Sequence, residues 1–97
     1  MPVEIVDNSE QSRFEILVDG KVAGFADYRL LPTKIVFTHT EVLPEYEGQG
    51  LAGKLVGHAL DASRDTGLRV VPLCPYVAKY IERHPAYQDL VDASVGG

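Results

Sequence analysis

An α+β architecture is predicted: an antiparallel meander of strands, one strand-helix-strand unit and a closing helix. Three observations predict it. A short alternating segment runs into an Asp-Gly pair, a run rich in β-branched residues stops at a proline, and a glycine-rich turn opens a stretch with helical spacing.

From Arg13 to Val18 the alternation of Phe14, Ile16 and Val18 marks a strand, and Asp19-Gly20 supplies the positive φ angles of a tight hairpin. Lys21 to Leu30 is the return strand, with Ala23, Phe25 and Asp27 on one face and Val22, Gly24, Ala26 and Tyr28 on the other. After a turn at Leu31-Pro32-Thr33, Lys34 to Leu43 holds Ile35, Val36, Phe37, Thr38, Thr40 and Val42, residues that suit a pleated surface. Pro44 ends this strand because proline has no N–H for the ladder. Past a loop from Pro44 to Gly48, the spacing of Leu51, Leu55, Val56, Ala59, Leu60 and Ala62 is that of an amphipathic helix, with Gly67 as its C-terminal cap. Leu68 to Leu73 is a short strand, parallel to the one before the helix, as a connection of this length requires. Pro75 opens a second helix, Tyr76 to Arg83, which His84-Pro85 terminates. Ala86 to Val91 adds a further helical turn, and Ala93 to Gly97 is expected to fray.

Composition narrows the function. A chain of 97 residues, 45% hydrophobic and 24% charged, fits one domain spanning residues 1–97. With a formal charge of -5 and nine scattered Lys and Arg, it offers no broad basic surface for nucleic acid. A single cysteine excludes an internal disulfide and any multi-cysteine zinc site, and no histidine-carboxylate spacing argues for a metal. The N-terminus lacks the pattern of a signal peptide and no apolar run approaches membrane-spanning length, so the expected address is the cytoplasm.

The glycine-rich segment Gly48-Gln49-Gly50-Leu51-Ala52-Gly53-Lys54 fits three phosphate-binding patterns, which context separates. A Rossmann fingerprint needs several further strand-helix units, and only one convincing strand follows. A Walker A loop needs Ser or Thr after its lysine, where Leu55 stands. The third pattern, [QR]-x-x-G-x-[GA], falls on Glu47-Gly48-Gln49-Gly50-Leu51-Ala52 and needs a long antiparallel strand before it and a helix after it. Both flanks are present. All three share one cause: free N–H groups at a helix N-terminus point at an anion, and glycine lets phosphate approach closely. The plainer alternative is a turn that merely starts a helix.

These features resemble the short GNAT-like acetyltransferase-domain proteins, which keep the coenzyme A half of a larger fold. The resemblance runs from about Phe14 to Val91. It rests on the hairpin, the strand ending in His39-Thr40-Glu41-Val42, the Tyr46-Glu47-Gly48-Gln49-Gly50-Leu51-Ala52 loop and the Cys74-Pro75-Tyr76-Val77-Ala78-Lys79-Tyr80 segment. It implies a GNAT-like mixed sheet, acetyl-coenzyme A (acetyl-CoA) as cofactor, and acetyl transfer to an amine. The backbone of Glu47, Gly48, Gln49, Gly50, Leu51 and Ala52 would bind pyrophosphate, and Val42 with Leu43 would pair with the pantetheine arm. One departure is Glu47, a carboxylate where the pattern has Arg or Gln. It repels pyrophosphate unless it turns into solvent, although backbone binding survives the change.

Cys74 follows a strand and precedes a helix N-terminus, which favours thiolate; in the resembled group the matching cysteine lies near the coenzyme A thiol as a proposed acyl acceptor. Its plain alternative is a buried small hydrophobe. His39 and Glu41 share one strand face, and by the same resemblance His39 stands near the reaction centre as base for Cys74 or for the amine. A hydrogen-bonded structural histidine is the alternative, and His58 and His84 read as surface or capping residues. Tyr76 and Tyr80 lie one helical turn apart, so one is free to meet the cofactor sulfur or act as an acid while the other packs. Lys54 and Lys79 are placed to reach the outer phosphates, with Arg83 a weaker version of the idea. Helices between the first two strands, which wall the acceptor site in longer members, are absent, so an open cleft is expected. An exposed protein or peptide lysine or a small polyamine suits it. The expected species is a monomer or a weak homodimer. A coenzyme A-binding module without turnover, or an interaction protein without ligand, are the competing classes.

Overall fold

The computed structural model describes residues 2–92. Five strands form one sheet in the order β1-β2-β3-β4-β5: β1 (Val3–Asn8), β2 (Arg13–Val18), β3 (Lys21–Leu30), β4 (Lys34–Val42) and β5 (Arg69–Pro72). Neighbours run antiparallel except β4 and β5, which are parallel. Helix α1 (Leu51–Asp65) connects that pair, and α2 (Pro75–Arg83) follows β5. Short 3-10 turns cover Pro44–Tyr46 and Pro85–Leu90. The predicted mixed sheet is thus observed. The expected fraying at Ala93 to Gly97 lies outside the described residues.

The β2-β3 hairpin turns as the Asp-Gly pair requires, with Asp19 at φ 52° and Gly20 at φ 81°. Helix α1 buries Leu51, Leu55, Val56, Ala59 and Leu60, and Gly67 leaves it at φ 75°. Those residues join Phe14, Ile16, Ala26 and Phe37 of the sheet and Val77 and Ile81 of α2 in one apolar cluster. Complete burial of each larger aliphatic side chain contributes roughly 1.5–3 kcal/mol. On the opposite sheet face Arg13, Phe25, Asp27, His39 and Glu41 are half-buried or exposed, while Glu15 is buried against Arg13.

Two differences from the sequence reading matter. Strand β1 was not anticipated, because Val3 to Asn8 follows no turn signal and is the half-exposed edge. The pleat of β3 and β4 is also broken twice. Ile16 pairs with Gly24 but Leu17 with Val22, so Ala23 is an extra residue in β3; Asp27 pairs with His39 but Tyr28 with Phe37, so Thr38 is extra in β4. Each bulge reverses which residues face the core. Hence Ala23 is buried beside Gly24, and beyond Thr38 it is Thr40 and Val42 that face the helices.

Candidate functional site

The parallel pair comes apart at one end. Register between β4 and β5 stops at Phe37↔Pro72, where the Cys74 N–H donates to the Phe37 carbonyl at 2.8 Å. Among the described residues, the rest of β4, Thr38 to Val42, has a strand neighbour on its β3 side alone. A forked pair of strands offers main-chain groups that an extended ligand can satisfy. Leu43 does not belong to this edge, contrary to expectation: its N–H donates to the Ala23 carbonyl at 2.8 Å and its own carbonyl accepts from Tyr46 at 2.9 Å. Val42 does, and its half-buried side chain lines the adjoining cleft.

The glycine loop closes the mouth of the fork. Gly48 and Gly50 hold φ angles of 84° and 72°, and a Cβ on either would meet nothing within 4 Å, so open space lies over both. Gly50 is the residue that opens α1, and no side chain caps the helix. The first main-chain bond of α1 runs from the Lys54 N–H to the Gly50 carbonyl. Among the described residues, the N–H groups of Gly48, Gln49, Gly50, Leu51, Ala52 and Gly53 therefore have no main-chain acceptor. Glu47 differs from expectation, since its N–H donates to the Pro44 carbonyl at 3.2 Å. The run of N–H groups without a main-chain acceptor begins at Gly48. Glu47 is itself exposed, which lets its carboxylate turn away into solvent.

A cleft of about 170 Å³ runs over this loop between Val42, Tyr46, Leu51 and Tyr76. It shares Gly50, Gly53 and Tyr76 with a second cleft of about 360 Å³ between α1 and α2, which adds Lys54, Lys79, Tyr80 and Arg83. In a chain of charge -5, this is a locally cationic wall next to the free N–H groups of the loop. The two helices approach closely because α1 has glycine where α2 has tyrosine. A Cβ on Gly57 would stand 2.7 Å from the Tyr80 hydroxyl. Tyr80 also stacks on His84, with ring centres 4.0 Å apart, so it is the packing member of the tyrosine pair. Burial first, then the charges of Asp61 and Tyr76, push its phenol up, so it stays protonated at neutral pH. Tyr76 is 42% exposed and faces both clefts.

Cys74 and His39 are not brought together. Cys74 is buried at the start of α2, and its Sγ–H donates to Thr40 Oγ1 at 3.5 Å. Thr40 and its neighbour His39 point to opposite faces. His39 lies on the open face, 6.1 Å from the Phe25 ring centre and 3.2 Å from the Glu41 carboxylate. The expected pairing of His39 as base for Cys74 does not fit this arrangement, and the bulge at Thr38 is the reason. Sequence reasoning passed over Thr40 because nothing in a run of β-branched residues announces a bulge. His84 caps α2, donating from Nδ1 to the Tyr80 carbonyl at 2.8 Å, and His58 packs edge-on to Phe14 at 6.3 Å. Among the described residues, no three His, Cys, Asp or Glu side chains cluster to hold a metal.

The chain is an α+β domain whose one parallel strand pair parts beside a glycine loop that opens a helix. The family model for GCN5-related N-acetyl-transferases matches residues 13–90, and the chain belongs to that family. The match agrees to within a residue at each end with the span expected from the sequence. Protein NATD1 of Gallus gallus and of Homo sapiens are each 29% identical over 91 residues, covering 92% of this chain and 83% and 80% of theirs. The solution structure of a GCN5-like protein from Staphylococcus aureus superimposes with a TM-score of 0.69 at 25% identity, covering 92% of this chain and 87% of that one. The ribosomal-protein-alanine N-acetyltransferase of Brucella melitensis shares the fold, with a TM-score of 0.59 at 22% identity over 84% of this chain.

Proposed function

We propose that this chain binds acetyl-CoA and transfers its acetyl group directly to an amine presented at the open face of the sheet. One observation carries the reading: among the described residues, the six consecutive N–H groups of Gly48 to Gly53 lack main-chain acceptors, with open space over Gly48 and Gly50 and a cationic cleft alongside. That donor set fits a diphosphate, and Lys54, Lys79 and Arg83 fit further phosphate charge. The free edge of β4 fits an amide-bearing arm.

Bound acetyl-CoA supplies a thioester carbonyl carbon for an amine to attack. The nitrogen-carbon bond forms as the carbon-sulfur bond breaks. His39, turned to the open face and held by Glu41, takes up the amine proton, and Tyr76 supplies one to the departing sulfur. Tyr80 is occupied in packing, which leaves this task to Tyr76. Direct transfer suits the burial of Cys74, which is 3% exposed with its thiol engaged by Thr40. Much of the acceleration then comes from positioning two reactants, worth up to about 7–11 kcal/mol.

The test uses acetyl-CoA labelled in its acetyl group. Wild type and Cys74→Ala are expected to bind it, to retain no label on protein, and to release label to an added primary amine. Label held through Cys74 in wild type and absent in the variant would overturn direct transfer. Binding without release to any amine would leave a cofactor-binding module. Absence of a thermal shift removes the cofactor itself, since a ligand at 100 times its dissociation constant stabilises by about 2.7 kcal/mol.

A further inference from the structure

We infer that Thr40 is a catalytic residue whose hydroxyl donates a hydrogen bond to the thioester carbonyl oxygen of an acyl-CoA lying along β4, and that Cys74 is the residue that positions it. The inference rests on the acyl-CoA reading above and adds a side-chain donor to it.

The argument begins with the extra residue in β4. Without the bulge at Thr38, His39 would follow Ile35 and Phe37 onto the helix side of the sheet. With it, Thr40 takes that place, paired across from Ala26 and in step with Val42. The fork between β4 and β5 opens at Phe37, so Thr40 is the first side chain beyond the fork that faces inward. Val42, two residues on, already lines the cleft over the glycine loop. A strand advances about 3.3 Å per residue, which places Thr40 roughly 7 Å deeper into the fork than Val42. An arm anchored at the loop and paired with the edge of β4 ends beside Thr40.

The hydroxyl of Thr40 meets the Cys74 thiol. Cys74 Sγ and Thr40 Oγ1 lie 3.5 Å apart; with the thiol as donor, the contact uses a lone pair of the threonine oxygen and leaves its hydrogen for a ligand. Thr40 is half-buried, where polar hydrogens ordinarily find partners. Cys74 is held in turn by its own N–H to the Phe37 carbonyl at 2.8 Å and by its place at the start of α2. A hydroxyl placed beside the fork and held against Cys74 meets the requirement for stabilising charge that develops on a carbonyl oxygen. It also assigns the buried cysteine a task that needs neither thiolate nor exposure.

The probe is acetyl-CoA carrying carbon-13 at the acetyl carbonyl, read by difference infrared spectroscopy and, separately, by calorimetry. In wild type and Thr40→Ser the carbonyl band of the bound thioester is expected at lower wavenumber than in free acetyl-CoA. In Thr40→Val, which keeps the shape of threonine without the hydroxyl, the band returns toward its free position while affinity stays within about twofold. Thr40→Ala serves as the second hydroxyl-free variant should the valine protein lose its cooperative melt. Cys74→Ala is expected to broaden the band, the signature of a donor no longer held in one orientation. Where an acceptor amine is turned over, Thr40→Val lowers kcat by about 100-fold at unchanged KM for acetyl-CoA, the usual effect of removing one such donor. A band displaced equally in wild type, Thr40→Val and Thr40→Ala overturns the role of Thr40 and leaves cofactor binding intact. A wild type that binds no acetyl-CoA overturns the cofactor reading and this inference with it.

Discussion

Gly57 sits inside α1, where alanine would ordinarily favour the helix by about 0.8–1 kcal/mol. A methyl there would stand 2.7 Å from the Tyr80 hydroxyl but 3.6 Å from the ring carbon bearing it. The clash is therefore with one oxygen. Gly57→Ala is expected to give no gain, or a loss, in the wild-type background and a gain of about 1 kcal/mol over Tyr80→Phe alone, measured by urea denaturation. An equal effect in both backgrounds would mean that the hydroxyl is not the obstacle. His39 makes a second residue-scale case. Since it meets Phe25 and Glu41 on the exposed face and not Cys74, it is expected to act on the acceptor side. His39→Asn should lower transfer by about 100-fold or more, at unchanged affinity for acetyl-CoA, and the loss should be the same in a Cys74→Ala background.

At the scale of elements, the loop before α1 is where backbone conformation and the proposed ligand binding depend on the same residues. Gly50 must hold φ 72° at the start of the helix, a conformation that costs an L-residue about 1–2 kcal/mol. Its missing Cβ faces empty space, so a Gly50→Ala variant is strained without being crowded. The expected outcome is a folded protein destabilised by that amount, whose affinity for coenzyme A falls at least tenfold, while Gln49→Ala leaves both nearly unchanged. A Gly50→Ala protein that binds normally would show that the N–H groups do not converge on the diphosphate. Much of this loop was legible beforehand, because glycine spacing, a preceding β-branched strand and a following helical period all appear in the linear order. Strand β1 was not, since an edge strand takes its identity from its neighbour: Val3 to Asn8 becomes a strand by pairing with Val18 to Arg13.

For the whole molecule, charge distribution and burial set the dependence on solvent conditions. The net charge of -5 disfavours a polyanionic ligand at long range, and Lys54, Lys79 and Arg83 reverse that locally at the cleft. Coenzyme A affinity is accordingly expected to fall as salt rises from about 0.05 to 0.5 M, and to fall less steeply in Lys79→Ala; a flat salt profile would count against phosphate contacts at this wall. Alkaline stability depends on two phenols. Burial first, with a hydrogen bond donated to Asp7 at 2.6 Å, pushes Tyr28 up to about 12, and a hydrogen bond to Asp61 at 2.8 Å, then burial, does the same for Tyr87. The unfolded chain releases these protons near pH 10, before the folded one, so their contribution is complete below pH 10 and is lost between about 10 and 12. Chemical denaturation from pH 8 to 11.5 should show that decline, and it should flatten in the double variant Tyr28→Phe, Tyr87→Phe. By itself the sequence determined the order of the elements from Arg13 onward, the hairpin at Asp19-Gly20, the glycine loop that opens α1 and the family, because local period, turn chemistry and motif spacing are properties of neighbouring residues. Only the tertiary structure decided which N–H groups stay free, that Leu43 and Glu47 are already engaged, and that Thr40 rather than His39 meets Cys74. Those outcomes hinge on bulges and on pairings between distant strands: one extra residue exchanges the two faces of β4, and nothing in the local pattern of Ile35 to Val42 records it.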